Sequence, residues 1–161
     1  MAAAGTNEAF ERFVAEQQGA LQGFAFLVIG NREDARDAVQ EALLGLYRSW
    51  GRVRTDPGSY ARRAIVNANI TAWRRRRKET PFAEIDGPWA APPGPDTMWV
   101  RAMCQTLPRK QRVAVVLSYI EDRTYDEIAA VLGCSPATAR SLVSRGVAAL
   151  RRMNSTDLDA R

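Results

Sequence analysis

The stretch from Thr124 to Gly146, TYDEIAAVLGCSPATARSLVSRG, decides how the rest of the chain is read. Thr124 followed by Glu127 makes a capping box, in which the two residues satisfy each other's backbone N–H groups at the start of a helix. That helix should begin at Tyr125 and stop near Leu132, where Gly133 supplies the positive φ that a tight corner needs. Ser135 can cap a following helix, with Pro136 in the first-turn slot where a missing N–H costs nothing. Small Ala129 permits a close helix crossing, while Ile128, Leu132, Cys134, Ala139 and Leu142 fall at the apolar contact positions of a helix-turn-helix. Arg140, Ser141, Ser144 and Arg145 share the face of the second helix turned away from that core. With Thr138 they form the candidate duplex-reading set, because Arg, Ser and Thr suit base edges and phosphates. The same pattern also fits a solvated face on an ordinary αα-hairpin.

Upstream, helical spacing runs from about Thr97 through Trp99, Ala102, Met103 and Leu107, breaks at Pro108, and resumes through Val113, Val116, Leu117 and Ile120. A helical domain is therefore expected over 97–153, with the tail NSTDLDAR frayed for want of anything to bury. Ahead of it, residues 79–96, ETPFAEIDGPWAAPPGPD, are rich in Pro and Gly and carry four acidic residues and no basic one, as a linker would.

Residues 8–78 have the pattern of a separate all-α domain. Apolar residues recur at helical spacing from Glu8 to Ile29 (Phe10, Phe13, Val14, Leu21, Phe24, Leu27, Val28), and Gly30 with Asn31 ends the run. The next segment, REDARDAVQEALLGLYRSW, places Ala35, Ala38, Val39, Ala42, Leu43, Leu46 and Trp50 on one side of a helix. Asp34, Asp37, Gln40, Glu41 and Arg48 fall on the other. After a loop at 51–58, GRVRTDPG, Ser59 can cap a third helix running to about Lys78. Arg63, Asn67, Thr71, Arg74 and Lys78 line up along it and through the basic run WRRRRKE, a stripe able to follow a phosphate backbone or to be a solvated helix end. Trp50 and Trp73 sit on apolar faces and are read as core.

Composition narrows the function classes. At 161 residues, 46% of them apolar, the chain can pack one ordinary domain or two very small ones. A formal charge of +5 favours a polyanionic partner. There is no His, and the two cysteines, Cys104 and Cys134, lack zinc-type spacing, so neither a metal nor another cofactor is expected. No export leader or membrane-spanning run is visible, which makes the cytoplasm the expected compartment and leaves no membrane partner.

A helical domain, a basic helix, a Pro-rich acidic linker and a C-terminal helix-turn-helix, in that order, resemble the extracytoplasmic function (ECF) sigma factors of bacterial RNA polymerase. DARDAVQEALLGLYRSW is similar to the family's region 2.2, SYARRAIVNANITAWRRRRKE to regions 2.3 and 2.4, and LPRKQRVAVVLSYIEDRTYDEIAAVLGCSPATARSLVSRGVAALRR to region 4. The compact two-domain form and the ETP opening of the linker resemble the actinobacterial group called the SigE family.

The resemblance implies that Asp34, Asp37, Gln40, Glu41 and Leu44 face the clamp helices of core RNA polymerase. It implies that the loop at 51–58 traps a flipped base of the unwound minus-10 element, with Arg62, Arg63, Asn67, Thr71, Arg74, Arg75 and Lys78 on the strand. Thr138, Arg140, Ser141, Ser144 and Arg145 would read the minus-35 element. The linker would either thread toward the RNA-exit path or act as a solvated spacer. Core polymerase, promoter DNA and an anti-sigma protein are the implied partners, with no small-molecule substrate. Two departures from the family pattern, Thr71 where many relatives carry Asp and Arg140, Ser141 and Leu142 where many carry Lys-Ser-Arg, bear on promoter sequence. A helix-turn-helix regulator that never joins polymerase is the main alternative. A nucleic-acid enzyme would need a metal or acid/base cluster that the sequence does not supply.

Overall fold

The computed structural model describes residues 2–53, 56–68 and 95–159, and all of its regular elements there are helical. The chain divides into two compact units, Met1–Pro93 and Gly94–Arg161.

In the first unit α1 (Ala2–Ile29), α2 (Arg32–Ser49) and α3 (Pro57–Val66) pack on one another. Gly30, at φ 86°, turns the chain between α1 and α2, and Asn31 caps α2, its Oδ1 accepting from the N–H groups of Glu33 at 2.9 Å and Asp34 at 3.1 Å. Leu21, Phe24, Ala25 and Val28 of α1 bury against Ala35, Ala38, Val39, Ala42 and Leu46 of α2 and Ala61 and Ile65 of α3. The alanines on α2 leave room for the helices to approach, and Leu46 and Ile65 fill the space between them. At its far end Trp50 is half-buried, its ring edge-on to Phe10 at 5.4 Å and tilted on Phe13 at 5.6 Å.

Three boundaries differ from expectation. α1 begins at Ala2 rather than Glu8. α3 is capped by Asp56, whose Oδ1 accepts from the Ser59 N–H at 3.0 Å, and not by Ser59. Pro57 occupies the first helical position, so Gly58 lies inside the helix instead of closing the loop. The helix then stops at Val66, well before Lys78, with Asn67 at φ −88°, ψ 0° and its N–H on the Arg63 carbonyl at 3.0 Å. An Asn side chain competes for nearby backbone groups and favours such a turn. Arg54 and Thr55 of the loop, Thr71, Trp73, Arg74, Arg75, Lys78 and nearly all of the expected linker lie outside the described residues.

The second unit contains α4 (Pro95–Gln105), α5 (Arg109–Val115), a wide π turn (Val116–Ile120), α6 (Tyr125–Leu132) and α7 (Pro136–Asp159). α4 starts two residues before the expected Thr97. The break at Pro108 is held by Arg112, whose Nε donates to the Cys104 carbonyl at 3.0 Å and whose guanidinium also donates to the Leu107 carbonyl at 3.0 Å. Burial lowers the Arg112 pKa and raises that of Cys104, although each charge partly offsets the shift of the other. The π turn, with the Glu121 N–H on the Val116 carbonyl at 3.2 Å, leaves Tyr119 and Ile120 exposed. Together with Trp99, Met103, Val147 and Leu150 they line an open apolar groove of about 410 Å³. α7 is helical to Asp159, past the expected end at 153, although Arg151 to Thr156 are all exposed. The hydroxyls of Ser155 and Thr156 donate to the Arg151 and Arg152 carbonyls at 3.0 and 2.9 Å.

Candidate functional site

The pair α6–α7 is built as its sequence predicts. Thr124 Oγ1 accepts from the Glu127 N–H at 3.2 Å, and Glu127 Oε2 accepts from the Thr124 N–H at 2.9 Å, closing the capping box. Gly133 adopts φ 68°, ψ 37°, the left-handed region, with its N–H on the Ala129 carbonyl at 2.8 Å. Ser135 Oγ accepts from the Thr138 N–H at 3.1 Å and donates to Thr138 Oγ1 at 2.9 Å, so α7 starts on a capped turn behind Pro136.

Packing then fixes which face α7 presents. Ala139, Val143 and Gly146 are buried on one side, against Val113 to Val116 of the preceding helical segment and Ile128, Ala129 and Val131 of α6. A Cβ on Gly146 would stand 2.5 Å from Val115 Cγ2, which shows how closely α5 and α7 cross. The opposite side carries Thr138, Arg140, Ser141, Ser144 and Arg145, all exposed. The five candidate readers therefore share one solvent face of a helix whose N-terminal half is pinned by caps. Leu132, Cys134 and Leu142 are half-buried, and Val131 and Val143, which the spacing argument did not single out, supply the deeper contacts.

On the first unit, α2 exposes Glu41 and Leu44, the latter 50% accessible, with Asp37 and Gln40 half-buried at the edge of the same face. Asp34 does not belong there. It is 4% exposed, in the first turn of α2 just after the Gly30 corner, where its carboxylate lies at the positive end of the helix. Tyr47 does belong: it is 52% exposed, one turn beyond Leu44, and its ring meets Phe10 edge-on at 5.0 Å. The signal in the sequence was an aromatic residue three positions after Leu44, off the alanine stripe.

Of the expected minus-10 set, Arg63 and Asn67 are exposed on α3, whereas Arg62 is 2% exposed and cannot lie on a phosphate backbone. Its guanidinium is turned inward, over the Phe24 ring of α1. Spacing alone does not separate Arg62 from Arg63, because adjacent residues on a helix point about 100° apart and either could have faced the core. Among the described residues no group of His, Cys, Asp and Glu could hold a metal ion, and no helix is long and apolar enough to cross a membrane.

Comparison with known proteins decides the family. Residues 13–79 match the model of Sigma-70 region 2, and residues 97–150 match that of Sigma-70 region 4. The RNA polymerase sigma-E factor of Streptomyces avermitilis is 33% identical, over 94% of this chain and 89% of the relative. The chain belongs to the ECF sigma factors. The ECF RNA polymerase sigma factor SigE of Mycolicibacterium smegmatis is 30% identical over 88% of this chain and 60% of its own length. The fold is shared with the sigma factor RpoE of Bartonella quintana, solved in complex with the anti-sigma factor NepR. That comparison gives a TM-score of 0.71 at 20% identity, over 93% of this chain and 99% of the other. As an ECF sigma factor the chain binds core RNA polymerase and promoter DNA and directs transcription initiation, and the reading as a regulator that never joins polymerase is not favoured.

Proposed function

We propose that the two units divide the work of an alternative sigma factor. Residues 8–78 dock on core polymerase and engage the opened minus-10 strand, 79–96 form the acidic linker, and 97–153 read the minus-35 duplex. The observation that carries this reading is the pair of unlike surfaces. α2 offers a polar face around one exposed leucine, suited to a reversible protein contact, and α7 offers a Ser- and Arg-bearing face suited to a major groove.

Within that division, Asp37, Gln40, Glu41, Leu44 and Tyr47 meet polymerase. Arg63 and Asn67, with Thr71, Arg74, Arg75 and Lys78 from the segment beyond the described residues, meet the strand. Thr138, Arg140, Ser141, Ser144 and Arg145 read the duplex. The protein acts without catalysing a reaction itself, works in the cytoplasm, and is held inactive by an anti-sigma protein. That last point is supported by the complex in which its fold relative was solved. Exposed apolar surface such as the groove beside α7 is what a protein partner covers.

The test is reconstitution with purified core polymerase on a genomic template library, comparing the natural chain with Leu44→Asp and Arg140→Ala. Leu44→Asp should lose polymerase binding, and Arg140→Ala should keep it and lose upstream selectivity. Unaltered polymerase binding by Leu44→Asp would remove α2 from the docking surface.

A further inference from the structure

We propose that Arg62 is the positioning residue of the strand-engaging helix α3, locking its first turn to α1 so that Arg63 and Asn67 are presented at a fixed angle. A cationic side chain is rarely as buried as this one, at 2% exposure, unless its charge is accommodated. Here the guanidinium carbon stands 5.8 Å from the centroid of the Phe24 ring, within cation–π range. One guanidinium nitrogen donates to the Gly58 carbonyl at 3.1 Å. Phe24 belongs to the buried stripe of α1, and Gly58 is the second residue of α3, so a single side chain ties the two helices at the point where α3 starts.

The glycine has a matching reason to be there. A Cβ at position 58 would lie 3.2 Å from the same Arg62 nitrogen, so any larger residue presses on the guanidinium. Gly58 is otherwise a costly choice inside a helix, because it lowers helix propensity relative to Ala. Asp56 completes the arrangement from the other side by capping the Ser59 N–H. Arg63 and Asn67 follow Arg62 directly and one turn later on the exposed side. A tilt of the first turn would carry both away from their strand contacts, and binding groups have to be held within about 0.5 Å of their productive geometry.

This inference rests on the reading that α3 engages the minus-10 strand, and the experiment separates the two. The full chain is assembled with core polymerase and offered duplex DNA that ends in a randomised single strand. Enrichment of the preferred single-strand sequence is measured beside polymerase affinity and far-UV circular dichroism. Three variants are compared with the natural chain: Arg62→Met, which fills the space without the donor; Arg62→Lys, which restores a cation; and Gly58→Ala. The last favours the helix while pressing on the guanidinium, so it tests the idea even if Arg62→Met fails to fold.

Enrichment should fall about tenfold or more in Arg62→Met and less in Gly58→Ala, with part of the loss recovered by Arg62→Lys and with polymerase affinity unchanged. Undiminished enrichment in folded Arg62→Met, or in Gly58→Ala where Arg62→Met does not fold, overturns the proposal. So does a loss of polymerase affinity in step with enrichment, which would make Arg62 a general support of the unit. If the natural chain itself enriches no sequence, the minus-10 reading of α3 fails first and the inference falls with it.

Discussion

Replacing Gly146 by Ala should destabilise the second unit, against the ordinary preference of helices. In an unobstructed helix interior the change from Gly to Ala stabilises by about 0.8–1 kcal/mol. At position 146 the added Cβ would meet Val115 Cγ2 at 2.5 Å, whereas non-bonded carbons rest at about 3.5–4.0 Å. Val115 is buried on α5 and also borders the apolar groove, so relieving the contact means drawing its side chain out of its packed position. Either it leaves its rotamer or the two helices move apart by about 1 Å, an overpacking cost of about 1–3 kcal/mol. Set against the propensity gain, this leaves an expected net loss of up to about 2 kcal/mol. Trimming the obstacle should reverse the sign. In a double-mutant cycle with Val115→Ala the two positions should couple by about 1 kcal/mol or more, the double variant being more stable than the sum of the singles predicts. The assay is hydrogen exchange at the amides of α5 and α7 through a urea series. Duplex binding measured alongside should weaken in Gly146→Ala and recover in the double variant, because the crossing sets the direction of α7. A Gly146→Ala protein that is stabilised by the full propensity gain would refute the argument.

Further outcomes follow from other sites. Arg140→Ala should relax minus-35 selectivity by about 1–3 kcal/mol in competition binding while polymerase affinity holds; unchanged selectivity would take Arg140 out of the reading set. Glu41→Lys and Leu44→Asp should abolish co-purification with core polymerase yet shift stability by only about 0.5 kcal/mol, since both side chains are exposed. Thr124→Ala removes half of the capping box and should cost about 1 kcal/mol in denaturant unfolding. Burial raises the Cys104 pKa, so its thiol should alkylate more slowly at mildly alkaline pH than a free thiol. The same shift means that the stability it contributes is full below the ordinary thiol range and declines as pH rises toward the raised value, which an unfolding series from neutral to alkaline pH will register.

The sequence was most legible where local chemistry and tertiary packing agree. Thr124, Glu127, Gly133, Ser135 and Pro136 each have one favoured job at a helix boundary, and each performs it. The outward set on α7 follows from the same register, because a capped helix with a buried Ala139 and Val143 has only one face left for Arg140 and Ser144. Legibility fell where two residues of one kind stand side by side. Arg62 and Arg63 are identical in type, and it takes partners distant in the sequence or on the preceding turn, the Phe24 ring and the Gly58 carbonyl among them, to hold the first inward. Asp34 misled for a related reason: its spacing matches Asp37 and Glu41, but it also stands one and two turns before the buried Ala38 and Ala42, and it is on their side that it lies. Asp56 beside Pro57 was a stronger cap than Ser59, a signal present in the sequence and outranked by the wrong candidate. The π turn at 116–120 has no sequence signature of its own. Within it Val116 and Leu117 are buried, and the chain beyond it turns at Asp122, which takes φ 53°.

This chain lets polymerase open DNA, and the reactivity of thymines reports that step. Core polymerase with the natural chain, on a template that the pair transcribes, is treated with permanganate, which attacks unstacked thymines. Reactive thymines should appear near the start site, need both proteins, and disappear with Leu44→Asp. Duplex binding by the chain with no reactive thymine on any template, with or without polymerase, would contradict it.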